Sequence, residues 1–226
     1  MTANPNPQFK IFLSAALALI LGGCVTSLQP LFTDKDLLFD PALIGIWEES
    51  EDTTWCFEKQ NKEAQDGDKA YRLVVTQKDV ASPMLAGLGK LGERRFLCLY
   101  PDLEELKERK LGDLYQTALI PGCLIAKVTQ DGPTLEVALL NHSWVEKLVE
   151  KDPKAIRHEK VEGRIILTAP TEELQQFLLK HADKEEVWEK LTELKRKQPK
   201  GFSAVRSQTA PHSQPLNSIT KPLPSV

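Results

Sequence analysis

The residues of this chain that could do chemistry are four cysteines and four histidines: Cys24, Cys56, Cys98, Cys123, His142, His158, His181 and His212. A cysteine becomes a strong nucleophile when a neighbouring imidazole takes its proton, so a Cys123 and His158 pair could serve a thiol hydrolase. Each histidine also has a structural explanation, because its surroundings place it at a helix end, on a strand or in the tail. We therefore predict that the protein is not an enzyme and keep the thiol hydrolase as the least favoured alternative.

The cysteines do not have the spacing of a metal or cofactor site. Cys56, Cys98 and Cys123 are separated by 42 and 25 residues, and no Cys-x-x-Cys pair occurs. The chain also lacks a Walker loop and a Gly-x-Ser-x-Gly motif. We predict no metal and no cofactor. The three thiols allow any one of three disulfides with one cysteine left over, or three free buried cysteines, and both possibilities stay open.

Cys24 differs from the other cysteines in what precedes it. Lys10 is followed by an unbroken apolar or small-residue run, Ile11 to Leu21. Such a run rises roughly 16 Å as a helix, about half of a ~30 Å hydrocarbon core, so it fits a signal sequence better than a membrane span. Its ending, Leu21-Gly22-Gly23-Cys24, resembles the lipobox of bacterial lipoproteins. An uncleaved N-terminal anchor with an incidental cysteine is the alternative.

The lipobox resemblance implies a modified and membrane-bound mature protein. The Cys24 thiol would be thioether-linked to diacylglycerol, the leader cut before it, and the new amine acylated with a chain such as palmitate. Two or more acyl chains hold a protein stably to a bilayer, at ~0.8 kcal/mol per buried CH₂. Val25, rather than an acidic residue, follows the cysteine. The resemblance then implies a lipid-anchored protein of the bacterial cell envelope, on the outer membrane and facing the periplasm.

Composition divides the chain into four segments: a signal peptide at 1–23, a lipidated linker at 24–32, a single domain at 33–197, and a disordered basic tail rich in Pro and Ser at 198–226. Between Cys24 and Leu194 there are 22 Lys and Arg against 32 Asp and Glu, a net charge of −10. Nucleic acid is excluded as a partner, because phosphate binding needs a basic face.

Short alternating segments edged by Asp, Gly, Pro or Asn predict six strands and a further hairpin: Ile46–Glu49, Trp55–Glu58, Tyr71–Thr76, Arg95–Tyr100, Cys123–Thr129, Thr134–Leu140, and Ile156–Val161 with Arg164–Thr168. Amphipathic spacing and capping residues predict helices at Ser143–Glu150, Thr171–His181 and Glu185–Lys197. The glycine-rich segment Ala81–Glu93 is interpreted as a loop between strands that packs on the core, with a mobile flap over a pocket as the alternative. Together these indicate an α+β fold, an antiparallel β-sheet or partial β-barrel with C-terminal helices.

The entry into the first strand carries a second resemblance. Asp40 and Pro41 start a short helical turn, and Gly45-Ile46-Trp47 follows it. This order resembles the start of lipocalins, in which the tryptophan closes the bottom of an eight-stranded barrel and an arginine from a later strand covers it. Arg164 is the candidate for that arginine. Some other β-rich core is the alternative, because too few clear strands remain to count eight.

The longer order of motifs resembles a group of bacterial lipoproteins of unassigned function. It runs from the lipobox through "FDPALIGIW" and a Leu-Tyr-Pro strand end to a Leu-Thr-x-x-Thr turn before a helix. We predict a non-catalytic envelope lipoprotein that binds an apolar ligand or an envelope partner, with Trp47, Phe57, Tyr71 and Phe96 lining the ligand site. A structural or assembly role without a ligand is the alternative.

Overall fold

The computed structural model describes residues 24–60, 69–108 and 118–197. The predicted signal peptide and tail lie outside these ranges. The strands are β1 Thr26–Ser27, β2 Leu37–Leu38, β3 Gly45–Ser50, β4 Thr53–Lys59, β5 Ala70–Gln77, β6 Val80–Leu91, β7 Arg94–Pro101, β8 Cys123–Asp131, β9 Thr134–Leu139, β10 His158–Val161, β11 Arg164–Leu167 and β12 Thr192–Arg196. The α-helices are α1 Leu103–Glu108, α2 His142–Lys151 and α3 Thr171–His181, and 3₁₀ turns lie at Pro41–Leu43 and Glu185–Val187.

Eight of these strands close into an antiparallel barrel. Pairing runs in chain order from β3 through β4, β5, β6, β7 and β8 to β9. β12 then pairs with β9 on one side and with β3 on the other. The predicted antiparallel, β-rich fold is confirmed. The predicted partial barrel is a complete one, so its wall has no free edge.

The strand that closes the barrel lies where the sequence predicts a helix. The segment Glu185–Lys197 forms a 3₁₀ turn and then β12. Leu194 is buried in the barrel while Glu193 and Lys195 are exposed, which is the alternation of a strand. The facing edges of β3 and β9 carry backbone groups that only another strand can pair, and this requirement outweighs the helix propensity of a Lys- and Glu-rich segment. The helices are consequently fewer and shorter than the α+β description implies.

The second missed strand is β6, which occupies the segment that we interpreted as a loop. It pairs with β5 along one edge and β7 along the other. Its glycines make room for neighbours on the outer face, since a Cβ on Gly89 would lie 2.5 Å from the ring of Phe32.

Gly87, Gly89 and Gly92 have the spacing of a dinucleotide-binding turn, but they lie on one strand and its hairpin turn rather than between a strand and a helix.

The fold contains two separate hydrophobic cores. The inner core fills the barrel and consists of Leu43, Trp47, Phe57, Tyr71, Leu73, Ala86, Leu88, Leu97, Leu99, Ala126, Val128, Leu135, Val137 and Leu194. The outer core lies between the outer wall of β7 to β9 and a covering layer. That layer is the connection from β9 to β12, which holds α2, the β10–β11 hairpin and α3, together with the N-terminal segment.

A disulfide joins the outer faces of two neighbouring barrel strands. Cys98 on β7 and Cys123 on β8 are bonded, with their Cα atoms 5.7 Å apart, and Cys56 is free. This is one of the three pairings that the sequence left open.

The disulfide is expected to stabilise the fold by about 3 kcal/mol, because it closes a loop of 25 residues in the unfolded chain. Replacing Cys98 and Cys123 together by alanine should lower the free energy of unfolding in urea by that amount, and added reductant should lower it similarly. The Cys56→Ala variant is the control and should unfold at the parent urea concentration. A double variant that unfolds like the parent would contradict this stabilisation.

His181 is buried among aromatic rings in the outer core. It ends α3, and its ring centroid lies 5.2 Å from that of Trp144 and 5.0 Å from that of Phe177. Its Nδ1 has no hydrogen-bond partner in the part of the chain that the structure describes. Burial first, and then the positive charges of Lys180 and Lys184, lower the pKa of His181 below its ordinary value of 6.5.

The lowered pKa makes stability depend on pH. Between the folded and unfolded pKa values the unfolded chain binds more protons, so the free energy of unfolding is highest above about pH 6.5 and falls as the pH decreases through that value. The His181→Gln variant should flatten this decline between pH 7 and pH 5 in urea titrations. His158→Gln, at a half-buried histidine on β10, is the control and should keep it. Equal declines in both variants would contradict the assignment to His181.

Candidate functional site

One end of the barrel is closed by the 3₁₀ turn and by Trp47. The indole Nε1 of Trp47 donates to the carbonyl oxygen of Leu43 at 2.8 Å, and the ring is fully buried. The Arg196 guanidinium lies 4.3 Å from the centre of that ring and donates to the carbonyl oxygen of Ile44 at 2.8 Å. Gly45 has a φ of +133°, and a Cβ there would lie 2.8 Å from Arg196. The glycine is therefore needed for the arginine to reach the ring.

The sequence predicted that Arg164 covers Trp47, and this prediction is wrong. The arginine that lies on the Trp47 ring is Arg196. Arg164 begins β11 in the covering layer, outside the barrel, and is exposed. Arg196 has no signal in the sequence as the covering arginine, because the segment that carries it, Glu185–Lys197, has the residue pattern of a helix.

Polar contacts around Asp40 fix the 3₁₀ turn to the barrel end. The Asp40 carboxylate accepts from Ala42 N at 2.9 Å and pairs with Arg95 at 2.7 Å. The Tyr71 hydroxyl accepts from Asp40 N, and burial raises the pKa of that hydroxyl. Gln130 donates to the carbonyl oxygen of Ala42 at 3.2 Å. This end is a built closure made of side chains that come from several strands.

The opposite end of the barrel carries the candidate ligand site. Five half-buried apolar side chains lie there above the inner core, and we call them the mouth residues: Trp55, Val75, Met84, Leu124 and Leu139. They come from five different strands, and the register places Trp55 opposite Val75 and Leu139 opposite Ala126. The Trp55 indole N–H donates to Glu49 at 3.4 Å, so its polar edge faces an acidic side chain.

The structure brings three of the four predicted ligand residues together. Trp47, Phe57 and Tyr71 share the inner core, with Phe57 and Tyr71 in edge-to-face contact at 6.1 Å between ring centroids. Phe96 points outward from β7 and contacts Trp188 in the outer core at 5.8 Å. Phe96 therefore cannot line one space with the other three, and the role of those three in ligand binding stays a prediction.

The mouth residues were not predicted, although a signal for them exists in the sequence. Side chains on one face of a strand alternate along the chain, so residues two positions from an inner-core residue share its face. Trp55 lies two positions before Phe57, and Val75 lies two positions after Leu73. Register between strands, which the sequence did not supply, decides which of these positions meet at one end.

The proposed lipidation point lies directly against the folded body. Cys24 is exposed with a free thiol, and the next residue, Val25, is 3% exposed in the outer core. Leu31 and Phe32 are also buried in that core. Residues 24–32, which we predicted as a linker, therefore run along the body and include β1.

The thiols that a hydrolase would need are not arranged for one. Cys123 is bonded to Cys98. The Nδ1 atom of His158 lies 2.9 Å from the carbonyl oxygen of Ile156. Burial and the neighbouring Glu58 raise the pKa of the free Cys56 thiol, so it is a weak nucleophile.

Other candidate sites carry less chemistry. A groove of about 430 Å³ lies on the outer wall of β8 and β9 over Trp188, and its rim carries charges of both signs, including Lys127, Glu136 and Lys184. Within the described ranges no cluster of three or more His, Cys, Asp or Glu could hold a metal ion. None of the helices in those ranges has the length and apolar character of a membrane span.

Comparison of the chain with known protein families, curated proteins and solved structures finds no match.

Proposed function

We propose that this protein is a lipid-anchored lipoprotein of the bacterial cell envelope that binds a small apolar ligand at the barrel mouth. The observation that carries the proposal is the contrast between the two ends of the barrel. One end is closed by Trp47, Arg196 and the 3₁₀ turn, whereas the other presents five half-buried apolar side chains. Half-buried apolar side chains held by separate strands of a closed barrel suit a ligand that leaves water.

The envelope location is supported by two further observations. The Cys98–Cys123 disulfide fits an oxidising compartment, since cytosolic thiols are kept reduced. Cys24 is exposed at the start of the folded body, where acyl chains could be attached without disturbing the core. The lipobox that precedes it supplies the reason to expect such chains.

An envelope protein is the second candidate for what the mouth binds. Two large apolar side chains near this end are strongly exposed, Val80 at 65% at the start of β6 and Ile120 at 74% before β8.

The test is binding of an environment-sensitive apolar fluorophore to the mature protein. The Val75→Glu variant places a charge among the mouth residues and should weaken binding at least tenfold, because burying an unpaired carboxylate costs well over about 1.4 kcal/mol. The matched control is Val74→Glu, one residue away on the outer face of the same strand, and it should bind like the parent. Equal affinity for both variants, or no fluorophore binding by the parent, would contradict an apolar site at the mouth.

A further inference from the structure

The route from Cys24 into the fold is too short to act as a tether. Thr26 pairs with Leu124 of β8 on one side and with Ile166 of β11 on the other. Val25 is buried, so only the bonds of Cys24 itself separate the attachment point from the rigid body. One extended residue spans at most about 3.6 Å. A cysteine whose acyl chains enter a bilayer therefore draws its neighbouring protein surface onto the headgroups.

The register of β1 and β11 places the tip of the β10–β11 hairpin on the side of the body where Cys24 lies. β1 and β11 are parallel, with Thr26 beside Ile166, so Cys24 and Arg164 each stand two residues before this pair. Both strands therefore begin at the same edge of the body. The hairpin turns at Glu162 and Gly163, both with positive φ, and carries Val161 with 49% of its surface exposed.

The hairpin tip has the composition of a surface that meets lipid headgroups. Val161 pairs with Arg164 across the strands, and Arg164 is exposed with no ion-pair partner within the described ranges. Lys160 lies beside them but is held by Glu146 at 2.7 Å. The turn also carries the exposed carboxylate of Glu162, which forms no ion pair with Arg164 within the described ranges. The Arg164 guanidinium is therefore free to meet anionic phosphates, and the apolar Val161 beside it suits the boundary with the acyl chains.

We propose that the tip of the β10–β11 hairpin, Lys160 to Arg164, rests on the phospholipid surface to which Cys24 is anchored. The contact fixes the orientation of the barrel relative to the membrane, instead of leaving the domain free on a flexible stalk. This inference rests on the proposed lipidation of Cys24. It does not depend on what the barrel mouth binds.

The test uses the mature, lipidated protein in vesicles of phosphatidylethanolamine and phosphatidylglycerol. In a Cys56→Ser background, a fluorophore is attached at Val161→Cys or, as the matched control, at Val80→Cys, an exposed valine at the start of β6. A quencher carried by the lipid headgroups should reduce emission at position 161 several-fold more than at position 80. A flexible insertion of about ten Gly and Ser residues between Cys24 and Val25 should abolish this difference, because the tether then spans roughly 15–20 Å.

The outcomes separate this inference from the proposal on which it rests. Mass spectrometry of each sample first establishes whether Cys24 carries acyl chains. A lipidated protein with equal quenching at both positions, or with quenching that the insertion leaves unchanged, overturns the docked hairpin and leaves the lipid anchor intact. A protein without acyl chains overturns the anchor and the inference together.

Discussion

Replacing Cys24 by alanine should abolish both acylation and removal of the leader. Incorporation of labelled palmitate should fall to background, because no other side chain at this position can form the thioether. The variant should retain residues 1–23 and therefore be heavier as a polypeptide than the processed parent. Metabolic labelling followed by mass spectrometry of the intact protein measures both effects.

The matched control for this prediction is Cys56→Ala. Cys56 is the other free cysteine within the described ranges, and it lies on β4 far along the chain from the leader. This variant should be labelled and processed like the parent. A Cys24→Ala protein that is still labelled with palmitate, or still cut before position 24, would show that the lipobox interpretation is wrong.

Replacing Trp47 by alanine should lower the free energy of unfolding by about 4 kcal/mol, the middle of the range for truncating a buried aromatic residue. The ring is fully buried, its N–H is bonded to Leu43, and its face is covered by Arg196. Its removal leaves a cavity, an unpaired carbonyl and a guanidinium without its aromatic partner. Urea unfolding followed by circular dichroism measures the loss.

A double-mutant cycle separates the arginine contact from the cavity. Arg196→Ala alone should destabilise the parent by about 1 kcal/mol more than it destabilises the Trp47→Ala protein, because the cation–π contact exists only when both residues are present. Trp55→Ala, at a half-buried tryptophan of the mouth, should cost much less than Trp47→Ala. A cost for Trp47→Ala no larger than that for Trp55→Ala would contradict the closed end described above.

The parts of the fold that the sequence predicted well are those set by local rules. Asp131-Gly132 predicted a hairpin, and Gly132 adopts the positive φ that such a turn requires. The helix over Thr171–His181 has the predicted bounds. The spacing of its apolar residues and the acidic residues of its first turn were sufficient, because both act within the segment itself.

The parts that were missed are set by distant residues. β6 looks like a loop because Gly87 and Gly89 have low strand propensity, and their use becomes visible only when Leu37 and Phe32 lie on them. β12 looks like a helix because no local feature reveals the open seam between β3 and β9. Arg196 and the mouth residues depend on that closure, so they could not be assigned before it.

The residues at the two barrel ends follow the same division between features set by neighbouring residues and features set by distant ones. Gly45-Ile46-Trp47 follows a turn that its own neighbouring residues specify, and Trp47 is fully buried at the closed end of the barrel. Aromatic character alone does not place Phe96 in the same core as Trp47, Phe57 and Tyr71. Side chains alternate between the two faces of β7, and Phe96 lies on the face that packs in the outer core. Only the pairing of β7 with its neighbouring strands shows which face is the outer one.

Native mass spectrometry of the mature protein, extracted in mild detergent from its own host, tests the central proposal most directly. We predict a chain that begins at Cys24, carries the mass of an acylated glyceryl group, and retains a further small apolar molecule that the Val75→Glu variant lacks. A chain that begins before Cys24 without acyl mass would contradict the lipid anchor. A lipidated chain that holds no additional molecule would contradict the ligand site and favour the envelope-protein partner.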